Sequence, residues 1–297
     1  ANTIYGLGNY LNMLKPDMFV VHGDRVEALA GAIVGALNNI IVAHIEGGEV
    51  SGTIDESIRH SVTKLSHVHF VANQKAKKRL IQMGESESNI YIIGSPDMDL
   101  MISSNLPRLS EVKEYYEIPF ERYSMLIYHP VTTNLHNLLN NIQRVLKVII
   151  QSGMNYVVVY PNNDPGADII IEEYKKLKDN KKLRIFPSIR FESFLVLLQN
   201  CDFIIGNSSA GVREAPFYAI PSINVGNRQH NRFCYESIVN VEDSDTEILN
   251  AIERIKKLKC IRSTHFGDGN STKKFMDIIK QPEIWNTKIQ KFFIDRE

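Results

Sequence analysis

Met18-Phe19-Val20-Val21-His22-Gly23-Asp24-Arg25 is an apolar run that breaks on a glycine turn, and the segment behind it, through Leu37, sets apolar and small residues at helical spacing. A second β-branched run, Ile40-Ile41-Val42-Ala43-His44, follows. Strand, helix, strand in that order is the pattern of a βαβ unit around a parallel sheet. The same alternation continues with a helix over Ser57–Leu65, a strand over Val68–Ala72, a helix over Gln74–Met83 and a strand over Ile90–Gly94 closed by Ser95-Pro96. These elements make one half of a doubly wound fold.

The pattern weakens between Leu100 and Glu121, where Ser103-Ser104-Asn105-Leu106-Pro107 precedes a short charged helix at Glu111–Tyr116. A second α/β series then begins. Strands are expected at Met125–Tyr128, Tyr156–Tyr160, Leu183–Phe186, Phe203–Ile205 and Ser222–Val225. Helices are expected at Asn134–Gln151, Asp168–Lys178, Phe191–Leu198, Gly211–Phe217 and Thr246–Lys257. The expected division is residues 1–107, 108–281 and a C-terminal segment 282–297, in which Trp285 and Phe292-Phe293 should pack against a domain.

Composition fits this reading. A chain of 297 residues suits two domains of roughly 150 residues. Hydrophobic residues at 43% and charged ones at 23% are ordinary for a globular protein, and no apolar run approaches the roughly 18 residues of a membrane span. Lys plus Arg and Asp plus Glu both total 34, so no net field attracts nucleic acid or an acidic membrane, and neither is expected as a partner. An anionic ligand must be held by local groups. Three scattered cysteines, Cys201, Cys234 and Cys260, suit neither a disulfide framework nor a zinc ribbon, and a reducing cytoplasm is the simplest setting.

Ligands of open α/β sheets bind beyond the carboxyl ends of the strands, so the strand exits are the informative positions. His22-Gly23-Asp24-Arg25 places a carboxylate and a guanidinium at the first exit, although Asp24 also reads as an ordinary helix cap. His44-Ile45-Glu46-Gly47-Gly48-Glu49 occupies the second, its glycines permitting close backbone approach. Its continuation through Gly52-Thr53 to Asp55, Arg59 and His60 puts Asp55 and Arg59 four apart on one helix, the spacing of a plain salt bridge. His129-Pro130 offers a proton carrier at an exit of the second series, and Asn162-Asn163-Asp164-Pro165-Gly166 reads first as a turn. Gly206-Asn207-Ser208-Ser209-Ala210-Gly211-Val212-Arg213-Glu214 combines a strand end, small residues, hydroxyls and a helix start with free N–H groups, a phosphate-binding arrangement. It is neither a Walker loop nor a dinucleotide fingerprint, so no NAD is indicated. Gly226-Asn227-Arg228 adds a cation.

These motifs, in this order, closely resemble the hydrolysing UDP-N-acetylglucosamine 2-epimerases of sialic-acid biosynthesis, over nearly the whole chain. The resemblance implies two Rossmann-like domains of the glycosyltransferase-B type with the active site in the interdomain cleft and a C-terminal helix packing back on the first domain. It implies conversion of UDP-N-acetylglucosamine and water to N-acetylmannosamine and UDP, by elimination through a glycal and hydration with inversion at C2. Carried over by position, Asp24, Glu46, Asp55 and His129 match acid/base residues, and Arg25 and Asn162 substrate contacts. Ser208 and Ser209 match the diphosphate serines, Glu214 a ribose-binding carboxylate and Arg228 a nucleotide contact, with Arg59, His60 and Asp99 as weaker candidates. No cofactor and no metal are implied, and a homo-oligomer is expected by resemblance alone. Family members begin with a strand and a Gly-Thr-Arg-Ala-Asp-type turn that nothing before Ala1 supplies, so the first domain is expected to be truncated and this stretch alone weakly active or inactive.

Other readings share some of these features. A non-hydrolysing epimerase would return UDP-N-acetylmannosamine, and a diacetamido-trideoxy sugar nucleotide would undergo the same hydrolysis. A retaining glycosyltransferase would need an acceptor, and a sugar-nucleotide-sensing module would bind UDP without turnover. A metalloenzyme built on His22, His44, His60, His67 and His69 lacks any His-Glu-x-x-His or Cys-x-x-Cys spacing.

Overall fold

The computed structural model describes residues 1–51, 54–229 and 231–295, so Gly52 and Thr53 of the motif quoted above lie outside the described residues. The chain forms two compact units, residues 1–102 with 265–297, and residues 103–264. The second boundary falls before 265, earlier than the expected 281, because the segment after it packs on the first sheet.

The first unit runs α1 (Asn2–Leu14), β1 (Met18–His22), α2 (Val26–Leu37), β2 (Ile41–Ile45), α3 (Ile54–Leu65), β3 (Val68–Val71), α4 (Gln74–Gln82), β4 (Ile90–Ile92) and α5 (Pro96–Met101). Its four strands are parallel and ordered β1-β2-β3-β4. Burial on both faces explains the unbroken apolar runs of the central strands β2 and β3. Val21 and Val42 pack with Ala28, Ala32 and Val62 of α2 and α3, while Ile41, Phe70 and Ile93 pack in a separate cluster.

The second unit runs α6 (Leu109–Tyr115), β5 (Ser124–Ile127), α7 (Leu138–Ser152), β6 (Tyr156–Val159), α8 (Ala167–Lys175), β7 (Leu183–Phe186), α9 (Phe191–Gln199), β8 (Ile204–Gly206), α10 (Glu214–Phe217), β9 (Ser222–Val225), β10 (Ile238–Val241) and α11 (Asp245–Ile255). Its strands are parallel in the order β10-β9-β8-β5-β6-β7. With β5 counted as the first strand this is the Rossmann order, 3-2-1-4-5-6 read from the other edge. The order reverses between β5 and β8, which makes their carboxyl ends the switch point where a ligand crevice belongs.

The chain then returns to the first unit as α12 (Ser271–Ile279) and α13 (Pro282–Trp285). Ile284, Phe275 and Ile278 join the Phe70 cluster. The expected C-terminal helix is only the four residues of α13, and Phe292 and Phe293 are exposed rather than packed. Polar contacts hold this tail instead. Lys291 Nζ donates to the carbonyls of Lys64 and Ser66 at the end of α3 and to the buried Glu85 at 2.6 Å, and His67 Nε2 contacts the Ile289 carbonyl at 3.0 Å. Burial alone would raise Glu85, but hydrogen bonds from His69, Lys291 and Lys64 outweigh it and hold the carboxyl at about 2. Among the described residues no helix is long and apolar enough to cross a membrane.

Candidate active site

In the first unit, the β1 and β2 exits form one connected network. Gly23 follows β1 at φ 75°, and its carbonyl meets His44 Nε2 at 2.9 Å. A carbonyl only accepts, so His44 carries its proton on Nε2, and Nδ1 accepts from the Thr63 hydroxyl at 3.2 Å. Burial drives His44 down to about 3, leaving it neutral. Both ring nitrogens of this histidine are therefore spent on supporting the turn that carries Asp24.

Asp24 does not cap α2. Arg25 is the N-cap residue, and Asp24 instead takes the guanidinium of buried Arg59, which also donates to the Glu49 carbonyl at 2.9 Å and the Ser51 hydroxyl at 2.8 Å. Arg59 thus reaches across from α3 to the first exit, beyond the plain helical salt bridge its spacing suggested. Asp55 is half-buried in the first turn of α3, and His60 is exposed, 3.7 Å from Glu56.

Glu46 is buried and has φ 67°, a left-handed conformation unusual for a residue with a side chain. Its two oxygens meet Ser95 Oγ at 2.5 Å and His22 Nε2 at 3.2 Å. Gly48 lies against α4, where a Cβ would stand 2.4 Å from the Ala76 carbonyl oxygen, so the paired glycines serve packing as well as the turn. Asp99 accepts from the N–H groups of Ser271 and Thr272 at 2.8 Å, anchoring the start of α12. Burial raises its pKa, and these N–H groups more than reverse that, holding it below the usual range.

In the second unit, β5 and β8 exits meet at the switch point. Asn207 Oδ1 accepts the His129 N–H at 2.7 Å, and Asn207 Nδ2 donates to the His129 carbonyl at 2.9 Å. The Asn207 carbonyl accepts from Arg228 and Gln229 at 3.2 and 2.8 Å. Gly206 makes the juncture possible, since at φ 132° a Cβ would stand 1.9 Å from the Ile127 carbonyl oxygen. His129 Nδ1 accepts the Asn162 N–H at 3.0 Å, which places the proton on Nε2. Burial, assisted by the Arg228 charge, lowers its pKa to about 3. His129 is consequently a neutral hydrogen-bond donor, and its basic nitrogen is occupied. Asn162 Oδ1 is buried with no partner among the described residues, which suits a ligand contact.

The serine turn departs from expectation. Residues Ser209–Gly211 form a single 3-10 turn, and α10 begins only at Glu214 and has four residues. The N–H groups of Ala210, Gly211, Val212 and Arg213 are consumed within the turn, by Ser208 Oγ and the carbonyls of Ser208 and Ser209. An anion here meets hydroxyls and the Arg228 cation more than a helix terminus. Glu214 is buried behind the turn, and Ser208 and Ser209 are half-buried. Among the described residues no three His, Cys, Asp or Glu side chains are grouped to hold a metal ion. Asn207, Ser95 and His44 were not singled out by sequence as site residues, yet each organises a strand exit.

The family model for UDP-N-acetylglucosamine 2-epimerase matches residues 1–280. The chain belongs to the UDP-N-acetylglucosamine 2-epimerase family. A UDP-N-acetylglucosamine 2-epimerase of Neisseria meningitidis is 50% identical over 299 residues, covering 99% of this chain and 79% of the relative. A UDP-N,N'-diacetylbacillosamine 2-epimerase (hydrolyzing) of Legionella pneumophila is 34% identical, covering 94% of this chain and 75% of the relative. In fold the chain is similar to the Methanocaldococcus jannaschii UDP-GlcNAc 2-epimerase solved with UDP-GlcNAc and UDP, with a TM-score of 0.80 at 24% identity over 94% of this chain and 79% of that one. The family architecture is α/β of the glycosyltransferase-B type, and both parallel sheets described above conform to it.

Proposed function

We propose that the chain is a hydrolysing epimerase that converts UDP-N-acetylglucosamine and water to N-acetylmannosamine and UDP, in the cytoplasm and in service of sialic-acid or capsule synthesis. A carboxylate removes the C2 proton, the C–H electron pair becomes the C1–C2 double bond, and the C1–O pair leaves with UDP. Water then adds its hydroxyl to C1 and a proton to C2 on the opposite face. Ser208, Ser209 and Arg228 take the diphosphate end, Glu214 the ribose, and Arg25 and Asn162 further substrate groups. In this reading the carboxylates come from the first α/β series and the nucleotide contacts from the second.

The observation that carries this reading is the protonation pattern of the site. His129 presents Nε2–H and has its other nitrogen occupied, so it serves as acid or donor toward the leaving group and the C2 base is a carboxylate. Of the carboxylates, Asp24 is spent on the permanent charge of Arg59, whereas Glu46 accepts from the neutral Ser95 hydroxyl and lies beside the exposed His22 imidazole, on a strained backbone. Glu46 is therefore our choice of base. The 34% identical hydrolyzing relative supports release of free sugar over return of UDP-N-acetylmannosamine.

Proton NMR in deuterated water tests this. Release of UDP with N-acetylmannosamine deuterated at C2 is the expected result. Intact UDP-N-acetylmannosamine would refute hydrolysis. A second reading, the same chemistry on UDP-N,N'-diacetylbacillosamine, is favoured by two relatives named for that substrate, at 34% and 35% identity. Turnover of that nucleotide alone would select it.

A further inference from the structure

Ser95 lies at the junction of β4 and α5, and its ordinary duty there is unfilled. It is the N-cap of α5, with Pro96 at the first helical position, where a serine normally turns its hydroxyl to the helix's own N–H groups. It makes no such bond. Fully buried, it sets its hydroxyl 2.5 Å from Glu46 Oε1 instead.

Its main chain is equally constrained. The Ser95 N–H donates to the Phe266 carbonyl at 2.6 Å. This contact requires two backbones to approach closely, and both residues at the crossing are glycines in left-handed regions, Gly94 at φ 89° and Gly267 at φ 136°. A Cβ on Gly94 would lie 3.1 Å from Gly267 Cα, and one on Gly267 3.2 Å from the Ser95 nitrogen. Asp99, on the same short helix, is gripped by Ser271 and Thr272. The returning segment thus clamps α5 near both ends, and the hydroxyl that faces Glu46 has little freedom to move.

We propose that Ser95 is a positioning residue for transfer of the C2 proton to Glu46. The inference rests on the hydrolysing-epimerase reading with Glu46 as base. A hydroxyl suits the task because it donates one hydrogen bond and brings no charge, so it orients the carboxylate without neutralising it as Arg59 does Asp24. With Oε1 held, Oε2 is the oxygen that faces the reaction. It lies 3.2 Å from Nε2 of the exposed imidazole of His22. Without the hydroxyl, a long side chain on a strained backbone loses its hydrogen bond at Oε1, and misplacement on the ångström scale is enough to slow the chemical step.

The test compares wild type, Ser95→Ala and Ser95→Thr in the whole enzyme, using UDP-N-acetylglucosamine and its C2-deuterated form. Ser95→Ala is expected to lower kcat about 10- to 100-fold with KM and UDP affinity held within about threefold. The primary isotope effect should rise toward its full value as C–H cleavage becomes limiting, and Ser95→Thr should restore most of the rate. A Ser95→Ala enzyme with wild-type kcat overturns the inference. So does an equal loss in both variants with the isotope effect unmoved, since that is what simple loosening of α5 would produce. A wild-type enzyme that binds UDP yet leaves this substrate untouched would sink the functional reading beneath it, an outcome recognisable before any variant is made.

Discussion

The strand exits of the two units share one grammar of strand, turn and helix, yet they are filled in opposite ways. At β1 and β2 the polar groups are ionic or ion-paired, with Asp24 on Arg59 and Glu46 beside His22. At β5 and β8 they are mainly neutral, with His129, Asn207, Ser208 and Asn162 tied through backbone N–H and carbonyl groups, and the Arg228 cation donates to the Asn207 carbonyl. The histidines at the β2 and β5 exits sharpen the contrast. Both are pushed to about 3 by burial, but His44 spends both nitrogens on scaffold whereas His129 keeps Nε2–H available. Carboxylates in the first set suit proton removal, and fixed neutral donors in the second suit a diphosphate whose charge would otherwise demand many cations.

The most damaging way to break the contrast is to neutralise the first set. Asp24→Asn keeps the shape but removes the charge opposite a buried guanidinium. Turnover should fall roughly 10³-fold, and stability by about 3 kcal/mol because Arg59 is left buried without its counter-ion. Steady-state rates and urea unfolding measure the two losses separately. Normal turnover with reduced stability would leave Asp24 as nothing more than an anchor for Arg59.

His129→Ala attacks the second set and should cost about 100-fold in kcat, while UDP affinity changes only severalfold. Unchanged turnover would remove it from the catalytic set. Its depressed pKa adds a further condition, that an acidic limb of the rate profile near pH 6.5 does not originate from this residue.

Acid stability concerns both sets together. Unfolded, His44 and His129 each take up a proton near pH 6.5; folded, they remain neutral until about pH 3. Between those limits the unfolded state binds more protons, so stability declines as pH falls through the window. From pH 7 to 5 the loss should be about 2 kcal/mol for each histidine. Urea midpoints at pH 7, 6 and 5 that stay level would contradict the burial of these imidazoles.

Much of the fold was legible because parallel strands write themselves as short apolar runs, and the limits of β7 and β9 agree with those read from sequence. Other elements were not read: β10, although Ile238-Val239-Asn240-Val241 carries a β-branched run, and α12, which begins inside the broken run Gly267-Asp268-Gly269-Asn270-Ser271. The site was legible as residue types at exits, but its wiring was not. Ser95 and Glu46 are 49 positions apart, and Asp24 and Arg59 are 35 apart. No local spacing rule links such pairs. The phosphate turn misled for a related reason, since small residues that look like a helix start closed on their own N–H groups.

That closure is what the mildest substitution probes. Ser208 already accepts the Ala210 N–H, so its hydroxyl is partly committed to the turn, whereas Ser209 stands beside it, half-buried, at the start of the 3-10 segment. If the neutral set holds a diphosphate through hydroxyls, Ser209→Ala removes one charge-assisted hydrogen bond and should weaken UDP binding about 10-fold, near 1.4 kcal/mol. Fold and thermal stability should stay close to wild type, because the turn's own hydrogen bonds run through the Ser209 carbonyl rather than its side chain. Titration calorimetry with UDP decides the matter. An unaltered affinity would mean that Arg228 and backbone groups carry the anion without Ser209, and the division between an ionic set and a hydroxyl set would have to be redrawn around a single cation.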